Sequence, residues 1–320
     1  MQLQWRPFRL PLAQPLHTAR GRLAAKRGWL LRLEGPGGAI GWGEAAPLDP
    51  EDLAPIAAAI EALGANHERP QLELRLASGA LPGPLAFALG AALAELEGLP
   101  QRRWLMAPAS ARLLPAGPAA LESLARDLAM RGGTPWPAAP TWKWKVAVHP
   151  DDEERELLEE LLEGLPAEAR LRLDANGGWD RATAARWAAR LAAEPCLEWL
   201  EQPLPPEDQA GLEALAATVP VALDESLQRD PLLAASWPGW QVRRPSQEGD
   251  PRPLLAALEA GQGRLMLSTG FETGIGRRWL AHLAALQAEG PTPAAPGLAP
   301  GWRTAGALAS ADPRQVWAAG

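Results

Sequence analysis

The sequence predicts an α/β barrel that follows an N-terminal α+β region. Two observations support the barrel: about seven short apolar runs each precede a longer amphipathic run, and acidic residues stand at the ends of several of these apolar runs. Repeated strand–helix units form a parallel sheet, and barrel enzymes carry their active sites at the carboxyl ends of the strands. An open, doubly wound sheet is the weaker alternative, because no glycine-rich phosphate-binding sequence follows the first strand.

The N-terminal region, up to about residue 50, has the pattern of β-structure. Residues 29–34 predict one strand, Pro36-Gly37-Gly38 a turn, and residues 39–44 the returning strand. The spacing of alanine and leucine predicts helices over residues 53–63 and 85–96.

From about residue 110, predicted strands and helices alternate. The strands, each with its following helix, are 113–116 and 119–130, 141–148 and 150–162, 171–174 and 180–192, 197–200 and 208–216, 219–223 and 231–235, 240–242 and 253–260, and 265–267 with a helix that runs through 286.

Composition excludes several classes of function. The 320 residues are 47% hydrophobic, which suits one large domain or a large and a smaller one. A net charge of −7 provides no broad basic surface, so we expect neither nucleic acid nor an anionic membrane as a partner. The single cysteine, Cys196, and the lack of an apolar signal core or a long apolar run predict a cytoplasmic protein. The oligomeric state stays open.

Four charged signatures each lie at or next to the end of a short apolar run. They are Lys143-Trp144-Lys145, Asp174-Ala175-Asn176, Glu201-Gln202-Pro203 and Asp224-Glu225-Ser226. The residues Lys145, Asp174, Glu201 and Asp224 are separated by 29, 27 and 23 residues, close to the length of one strand–helix unit of a barrel. We therefore expect these side chains to meet at one rim.

Lys143 and Lys145 lie two residues apart on a predicted strand and so project from the same face. Repulsion between two ammonium groups lowers the pKa of at least one of them, which favours the neutral amine that a general base needs. The alternative is a solvated edge strand with protective lysines. Trp142 and Trp144 indicate that the opposite face is buried.

The three acids supply the hard oxygen ligands that Mg²⁺ prefers. Any one of Asp174, Glu201 and Asp224 is also explained by a helix N-cap or a surface ion pair. Three acids at regular intervals favour a shared metal site.

These signatures, together with Gly41-Trp42-Gly43-Glu44-Ala45 and the longer run Asp174-Ala175-Asn176-Gly177-Gly178-Trp179, resemble the enolase superfamily, and within it the o-succinylbenzoate synthase family. The resemblance extends from the early hairpin to about residue 290. It implies an α+β capping domain over residues 1–108, a modified (β/α)7β barrel of the TIM type over 109–290, and a C-terminal segment, 291–320, that returns to the capping domain.

The resemblance also implies roles for individual residues. Asp174, Glu201 and Asp224 would bind Mg²⁺, Lys145 would be the acid/base and Lys143 its electrostatic neighbour. Asn176 and Glu225 would support the ligands.

The implied reaction is the dehydration of 2-succinyl-6-hydroxy-2,4-cyclohexadiene-1-carboxylate to 2-succinylbenzoate, a step toward menaquinone or phylloquinone. Two alternatives remain open. One is another reaction of the superfamily, dipeptide epimerisation or N-succinylamino acid racemisation; the other is a non-catalytic barrel that binds a ligand.

The chain departs from the family pattern at Val242-Arg243-Arg244-Pro245, where the family usually has a lysine before the proline. Arginine stays protonated and is a poor general base, so Arg244 disfavours a two-base racemase and is compatible with dehydration, where it would contact substrate or product as a cation. The alternative is a structural salt bridge, and the sequence does not say whether Arg243 or Arg244 faces the site.

Three further residues are candidates for substrate binding. Ser268 and Thr269 match a family loop that contacts substrate, although a helix N-cap also explains them. Residues 18–28, with Arg20, Arg22, Lys26 and Arg27, align with the family's mobile capping loop, where Arg27 would attract an anionic substrate. A solvated basic loop is the alternative.

Overall fold

The computed structural model describes residues 1–18, 21–98, 104–136 and 138–320. It divides into two compact units. The first, called the N-terminal unit here, contains Met1–Ala109, Arg243–Gly263 and Leu267–Gly320; the second, the sheet unit, contains Ser110–Val242 and Arg264–Met266. The domain limits 1–108, 109–290 and 291–320 stay a prediction.

The described residues contain strands, α-helices and short 3-10 helices. The strands are β1 (Gln2–Thr18), β2 (Gly21–Glu34), β3 (Ile40–Ala45), β4 (Arg112–Leu114), β5 (Thr141–Lys145), β6 (Arg170–Asp174), β7 (Leu197–Glu201), β8 (Val221–Leu223), β9 (Trp240–Arg243) and β10 (Leu265–Leu267). The α-helices are α1 (Leu53–Leu63), α2 (Arg69–Ala77), α3 (Gly83–Leu96), α4 (Ala119–Arg131), α5 (Asp151–Gly164), α6 (Arg181–Leu191), α7 (Gln209–Ala216), α8 (Glu225–Arg229), α9 (Leu233–Ser236), α10 (Pro245–Glu248), α11 (Pro251–Glu259), α12 (Gly274–Glu289) and α13 (Pro313–Ala318). The 3-10 helices are Pro36–Gly38, Pro50–Asp52, Pro300–Trp302 and Ala307–Ala309.

The first three strands form an antiparallel sheet in the order β1-β2-β3 within the N-terminal unit. Strand β3 lies directly on α3. A Cβ atom added at Gly41 would lie 1.9 Å from the carbonyl oxygen of Ala92, and one at Gly43 would lie 2.1 Å from that of Ala88. Only glycine therefore allows the strand and the helix to approach this closely.

Residues 18–28 were expected to form a mobile capping loop, but the structure shows a strand from Gly21 onward. Strand β2 begins at Gly21 and pairs with β1, with Arg22 opposite His17 and Arg27 opposite Arg9. Antiparallel pairing supplies backbone hydrogen-bond partners that a solvated loop would lack, and this favours extended structure. Arg20, which was expected in the same loop, lies outside the described residues.

The remaining seven strands form one parallel sheet in chain order from β4 to β10, and at least one helix follows each strand. This arrangement confirms the predicted α/β fold class. The alternation along β5 explains how the sheet is covered: Trp142 and Trp144 are fully buried in a core with residues of α5 and α6, and Lys143 and Lys145 occupy the intervening positions.

Several elements were not predicted from the sequence. Helix α2 has one buried residue, Leu72, so its apolar periodicity is weak. Helices α8, α10 and α13 span four to six residues, too few for a periodic pattern. Within the described residues, no helix has both the length and the apolar character needed to cross a bilayer.

Candidate active site

The strand register brings the charged signatures of the sheet unit together. Lys145 on β5 pairs with Asp174 on β6, and Asp174 pairs with Glu201 on β7. Glu201 pairs with Ala222 on β8, so that Asp224 lies two residues farther along the same strand direction. In a parallel sheet these carboxyl ends lie at one edge, which is where the spacing predicted that the four residues would meet.

Lys143 is the cation at the centre of this group. Its Nζ lies 2.7 Å from Oδ2 of Asp174 and donates to Oε1 of Glu201 at 2.6 Å. Burial alone would lower the pKa of Lys143, but the negative charges of Asp174, Glu201 and Asp224 outweigh it and raise the pKa above its ordinary value. The expected lowering by repulsion between the two lysines is therefore wrong for Lys143, because three carboxylates surround it.

Glu201 is completely buried, whereas Lys145 is exposed. Burial raises the pKa of Glu201; the positive charge of Lys143 opposes the shift, and the negative charges of Asp174 and Asp224 add to it. The two lysines of β5 thus differ: Lys143 neutralises the carboxylates, and the side chain of Lys145 is accessible to a small molecule.

Asp224 is held by two glutamine side chains. Gln228 donates from Nε2 to its Oδ1 at 2.8 Å. The buried Gln202 accepts at Oε1 from the backbone N–H groups of Asp224 and Ser226, at 3.1 and 3.0 Å, and donates from Nε2 to the hydroxyl oxygen of Ser226 at 2.7 Å. Sequence reasoning assigned no role to Gln202, although its place directly after Glu201 was a signal.

Asn176 and Glu225 lie together, with Asn176 Nδ2 donating to Glu225 Oε1 at 3.1 Å. The backbone N–H of Asn176 also donates to Asp174 Oδ1 at 3.0 Å. Asn176 and Gln202 adopt left-handed backbone conformations, with φ of 46° and 37°. Such strained residues cluster at functional sites, and here both follow an acidic strand end by one or two residues.

The carboxylates match a divalent cation in chemistry but are not arranged as a ready cage. Among the described residues, no group of three histidine, cysteine, aspartate or glutamate side chains is placed to hold a metal ion. Two oxygens, from Asp174 and Glu201, instead contact the same ammonium nitrogen of Lys143. The ammonium group of Lys143 attracts all three acids, and carboxylate oxygens are the ligands that Mg²⁺ prefers, so the donor set fits such a cation in its chemistry.

The other predicted residues belong to the N-terminal unit. Arg243 pairs with Glu248 at 2.6 Å, and the half-buried Arg244 donates its backbone N–H to the same glutamate at 2.5 Å. The hydroxyl of Thr269 donates to Glu272 at 2.7 Å, and the backbone N–H of Ser268 donates to the carbonyl of Arg243 at 2.8 Å.

The N-cap of α12 is Thr273, so the N-cap alternative for Ser268 and Thr269 is wrong. Arg27 is exposed on β2.

Lys26 was expected on a loop surface and is instead buried, with 1% of its area exposed. Its Nζ has no hydrogen-bond partner among the residues that the structure describes, and burial lowers its pKa to about 8 against the attraction of Glu272 and Glu44. Glu44 in turn accepts from the N–H groups of Thr273 and Gly276 at the start of α12. A compositional signal could have identified this residue: the chain has 28 arginines and only three lysines, which are Lys26, Lys143 and Lys145.

Cys196 is half-buried and packs against the core of the sheet unit. Burial and the negative charge of Glu194 raise the pKa of its thiol to about 12. Such a thiol is a poor nucleophile at neutral pH, so the position of Cys196 against the core suits a packing role.

Comparison with known proteins gives one family and close relatives. Residues 120–231 match the family described as Enolase C-terminal domain-like. The chain is 39% identical over 298 residues to the o-succinylbenzoate synthase of Thermosynechococcus vestitus, covering 88% of each chain. It is 30% identical to that of Edwardsiella ictaluri over 294 residues, or 89% of this chain and 87% of the relative.

Solved structures have the same fold. The o-succinylbenzoate synthase of Thermosynechococcus elongatus, whose crystal structure has Mg in the active site, superposes with a TM-score of 0.78 and 34% identity, covering 96% of this chain and 95% of that one. A dipeptide epimerase from Enterococcus faecalis superposes with a TM-score of 0.69 at 21% identity, covering 92% and 89%. At that identity the second similarity concerns the fold alone.

Proposed function

Because the chain belongs to the o-succinylbenzoate synthase family of the enolase superfamily, we propose that it dehydrates 2-succinyl-6-hydroxy-2,4-cyclohexadiene-1-carboxylate to 2-succinylbenzoate. It is then a carbon–oxygen lyase of menaquinone or phylloquinone biosynthesis. The observation that carries this proposal is the row Lys145, Asp174 and Glu201 in register across three strand ends. A reducing cytoplasm suits its single, unreactive thiol.

Asp174, Glu201 and Asp224 would hold a magnesium ion. Their support is the shared attraction to one ammonium group and the chemistry of carboxylate oxygens, which Mg²⁺ prefers. When bound, the ion would supply positive charge to the substrate carboxylate and lower the energy of the negative charge that develops on proton removal. The polar contacts of Gln202, Gln228 and Asn176 would keep the acids oriented.

Lys145 would act as the acid and the base. As a free amine it removes the proton from the ring carbon that bears the carboxylate, and the electron pair of the broken carbon–hydrogen bond is delocalised onto the carboxylate. This pair forms the new ring double bond when the hydroxyl departs. The resulting ammonium then donates the proton to the departing hydroxyl as the carbon–oxygen bond breaks, so that water leaves and the ring becomes aromatic. One lysine is sufficient because both groups leave from the same face, and the exposure of Lys145 gives a substrate access.

Lys143 would be a fixed cation rather than a base. Its contacts with Asp174 and Glu201 and its raised pKa keep it protonated. In this role its positive charge offsets part of the repulsion among the three acids. Without that charge, burying the acids would cost more free energy.

Arg244 favours dehydration over racemisation. A racemase that takes a proton from one face and returns it to the other needs two bases, and a guanidinium is not a base at neutral pH. The rate of α-proton exchange of N-succinylamino acids in deuterated water measures the competing racemase activity, and we expect this exchange to be much slower than dehydration.

Ser268, Thr269 and Arg27 would contact the succinyl and carboxylate groups of the substrate.

Substitution of Lys145 tests the proposed function. We expect Lys145→Ala to lower kcat by about 10²- to 10⁴-fold, the usual contribution of a general acid–base. Formation of the aromatic product is followed by absorbance, and circular dichroism checks the fold. The matched control is Arg170→Ala, which removes an exposed cation at the opposite end of the neighbouring strand. A Lys145→Ala protein that keeps most of its turnover would show that the assigned role is wrong.

A further inference from the structure

A tryptophan contacts the most buried of the three acids. Trp199 and Glu201 lie two residues apart on β7, on the same side of the strand, and both are completely buried. The indole Nε1 of Trp199 donates to Oε2 of Glu201 at 3.3 Å, and Lys143 donates to the other oxygen, Oε1, at 2.6 Å. Each oxygen of this carboxylate therefore has its own donor.

The indole of Trp199 is fixed from two directions. The guanidinium of Arg172 stacks on its ring at 4.0 Å, and the ring of Trp240 lies 4.7 Å away at 32°. Arg172 is itself buried and is held by Glu198, with Nε donating to Oε2 at 2.6 Å. Nη1 and Nη2 of Arg172 make no hydrogen bond within the described part of the chain, so the stack and the ion pair hold this side chain.

We propose that Trp199 is a positioning residue for metal binding. Its indole N–H occupies Oε2 of Glu201, so that Oε1 is the oxygen turned toward the metal ion. Arg172 and Glu198 hold the indole in place. This inference rests on the proposed function, in which Glu201 is a metal ligand. Partners that hydrogen-bond to ligands orient them, and their loss typically costs 10- to 100-fold in metal affinity.

The physical reason is the freedom of the carboxylate. The terminal torsion of a glutamate side chain has a broad, two-fold energy profile, so hydrogen bonds rather than intrinsic preference decide which oxygen faces a ligand. Without the indole donor, Glu201 keeps a partner on one oxygen only, and binding of the cation must include the cost of ordering the group. The single bond is long, so we expect the low end of the range, about a tenfold loss.

The test measures magnesium binding to the substrate-free protein by titration calorimetry. Trp199→Phe removes the N–H donor and keeps an aromatic ring for stacking; we expect its Kd for Mg²⁺ to rise about tenfold. The matched control is Trp142→Phe. Trp142 is also a fully buried strand residue whose Nε1 donates to a carboxylate, that of Asp127 at 3.2 Å, and Asp127 is not part of the site. We expect the control to lose stability without a change in Kd.

A spectroscopic measurement separates positioning from simple packing. In a ¹⁵N-labelled wild-type protein, the indole N–H signal that is missing from Trp199→Phe identifies Trp199. We expect this signal to shift when Mg²⁺ is added, and the signal of Trp142 to stay in place. Equal Kd values for wild type and Trp199→Phe, or an equal loss in both variants, would overturn the inference. A wild-type protein that binds no Mg²⁺ would instead contradict the proposed metal site.

A second variant carries the test if Trp199→Phe does not fold. Arg172→Lys keeps the positive charge opposite Glu198 and removes the planar group that stacks on Trp199. We expect Kd to rise in the same direction, by about two- to threefold, since the indole keeps its donor and loses only part of its support. An unchanged Kd in a folded Arg172→Lys protein would reject the role of the stack.

Discussion

Glu201 is the residue on which the contacts of the site converge. It is fully buried between the donors Lys143 and Trp199, and burial with the neighbouring acids raises its pKa. A buried carboxylate that lacks enough positive charge is costly, and one lysine offsets only part of the charge of three acids. At this scale, the site has an excess of negative charge that a divalent cation would neutralise.

Asp224 gives a prediction at the level of a single ligand. Asp224→Asn removes one negative charge and one strong oxygen donor but keeps the shape of the side chain. We expect the affinity for Mg²⁺ to fall at least tenfold in calorimetry. Asp230→Asn, which changes an exposed aspartate just after the same short helix, is the control. If the two variants bind Mg²⁺ equally well, Asp224 is not a ligand.

The residues of the site differ in how well the sequence identified them. Asp174, Glu201 and Asp224 follow apolar runs at regular intervals, and spacing along the chain fixes which strand end each occupies. The roles of Gln202 and Trp199 do not follow from spacing alone, because they depend on hydrogen bonds to partners that only the folded sheet brings near. The pKa direction of Lys143 was missed for the same reason, because its carboxylate partners lie on other strands.

The contact between β3 and α3 shows what an element requires of its residues. We expect Gly43→Ala to destabilise the protein by about 3 kcal/mol or more, since the new Cβ would overlap the carbonyl of Ala88 and force the strand from the helix. Chemical denaturation measures the change. In the control, Gly35→Ala, the nearest atom is a methyl group of the Leu96 side chain at 3.2 Å, which can move. Similar losses in both variants would contradict the overlap.

Glu95 on α3 makes the stability of the folded protein depend on pH. It is paired with Arg278 of α12, yet burial raises its pKa to about 7 against that attraction. The folded state therefore keeps a proton that the unfolded state has released above pH 4.5, and stability falls as pH rises from about 4.5 to 7. We expect Glu95→Gln to reduce this fall by about 2 to 3 kcal/mol in denaturation curves at pH 5 and 7.5. An identical pH profile in the variant would refute the assignment.

Elements were predictable where their signal was local. The apolar runs of β6, β7 and β10 and the alanine and leucine spacing of α1 are complete within a few residues, so their limits agree closely with the structure. The start of β2 was missed because its basic, polar residues resemble a loop. Antiparallel pairing with β1 decides its conformation, and a local pattern does not reveal this pairing.

At the scale of the whole chain, the order of elements was enough to predict the fold class. Alternating strands and helices allow few topologies, and the parallel sheet from β4 to β10 in chain order is one of them. The division into units was harder: Arg243–Gly263 and Leu267–Gly320 group with the first 109 residues by contact. Such grouping depends on packing between distant segments, which local patterns do not encode.

Magnesium should stabilise the whole protein, because a ligand that binds only the folded state shifts the unfolding equilibrium. At 100 times Kd the gain is about 2.7 kcal/mol, which corresponds to a rise of about 4 °C in Tm for a chain of this length. Differential scanning calorimetry with and without Mg²⁺ measures it. We expect no rise in Glu201→Gln, and a comparable rise there would place the ion elsewhere.

The scarcity of lysine has a consequence for handling the protein. Lys26 is enclosed and Lys143 is engaged by two carboxylates, which leaves Lys145 as the accessible side-chain amine. Reagents that acylate amines, or supports that couple proteins through lysine, would react mainly there and at the chain's amino terminus. With Lys145 as the proposed acid/base, such attachment would inactivate the enzyme. Coupling through a terminal tag is the better route, because the half-buried thiol of Cys196 is a poor nucleophile at neutral pH.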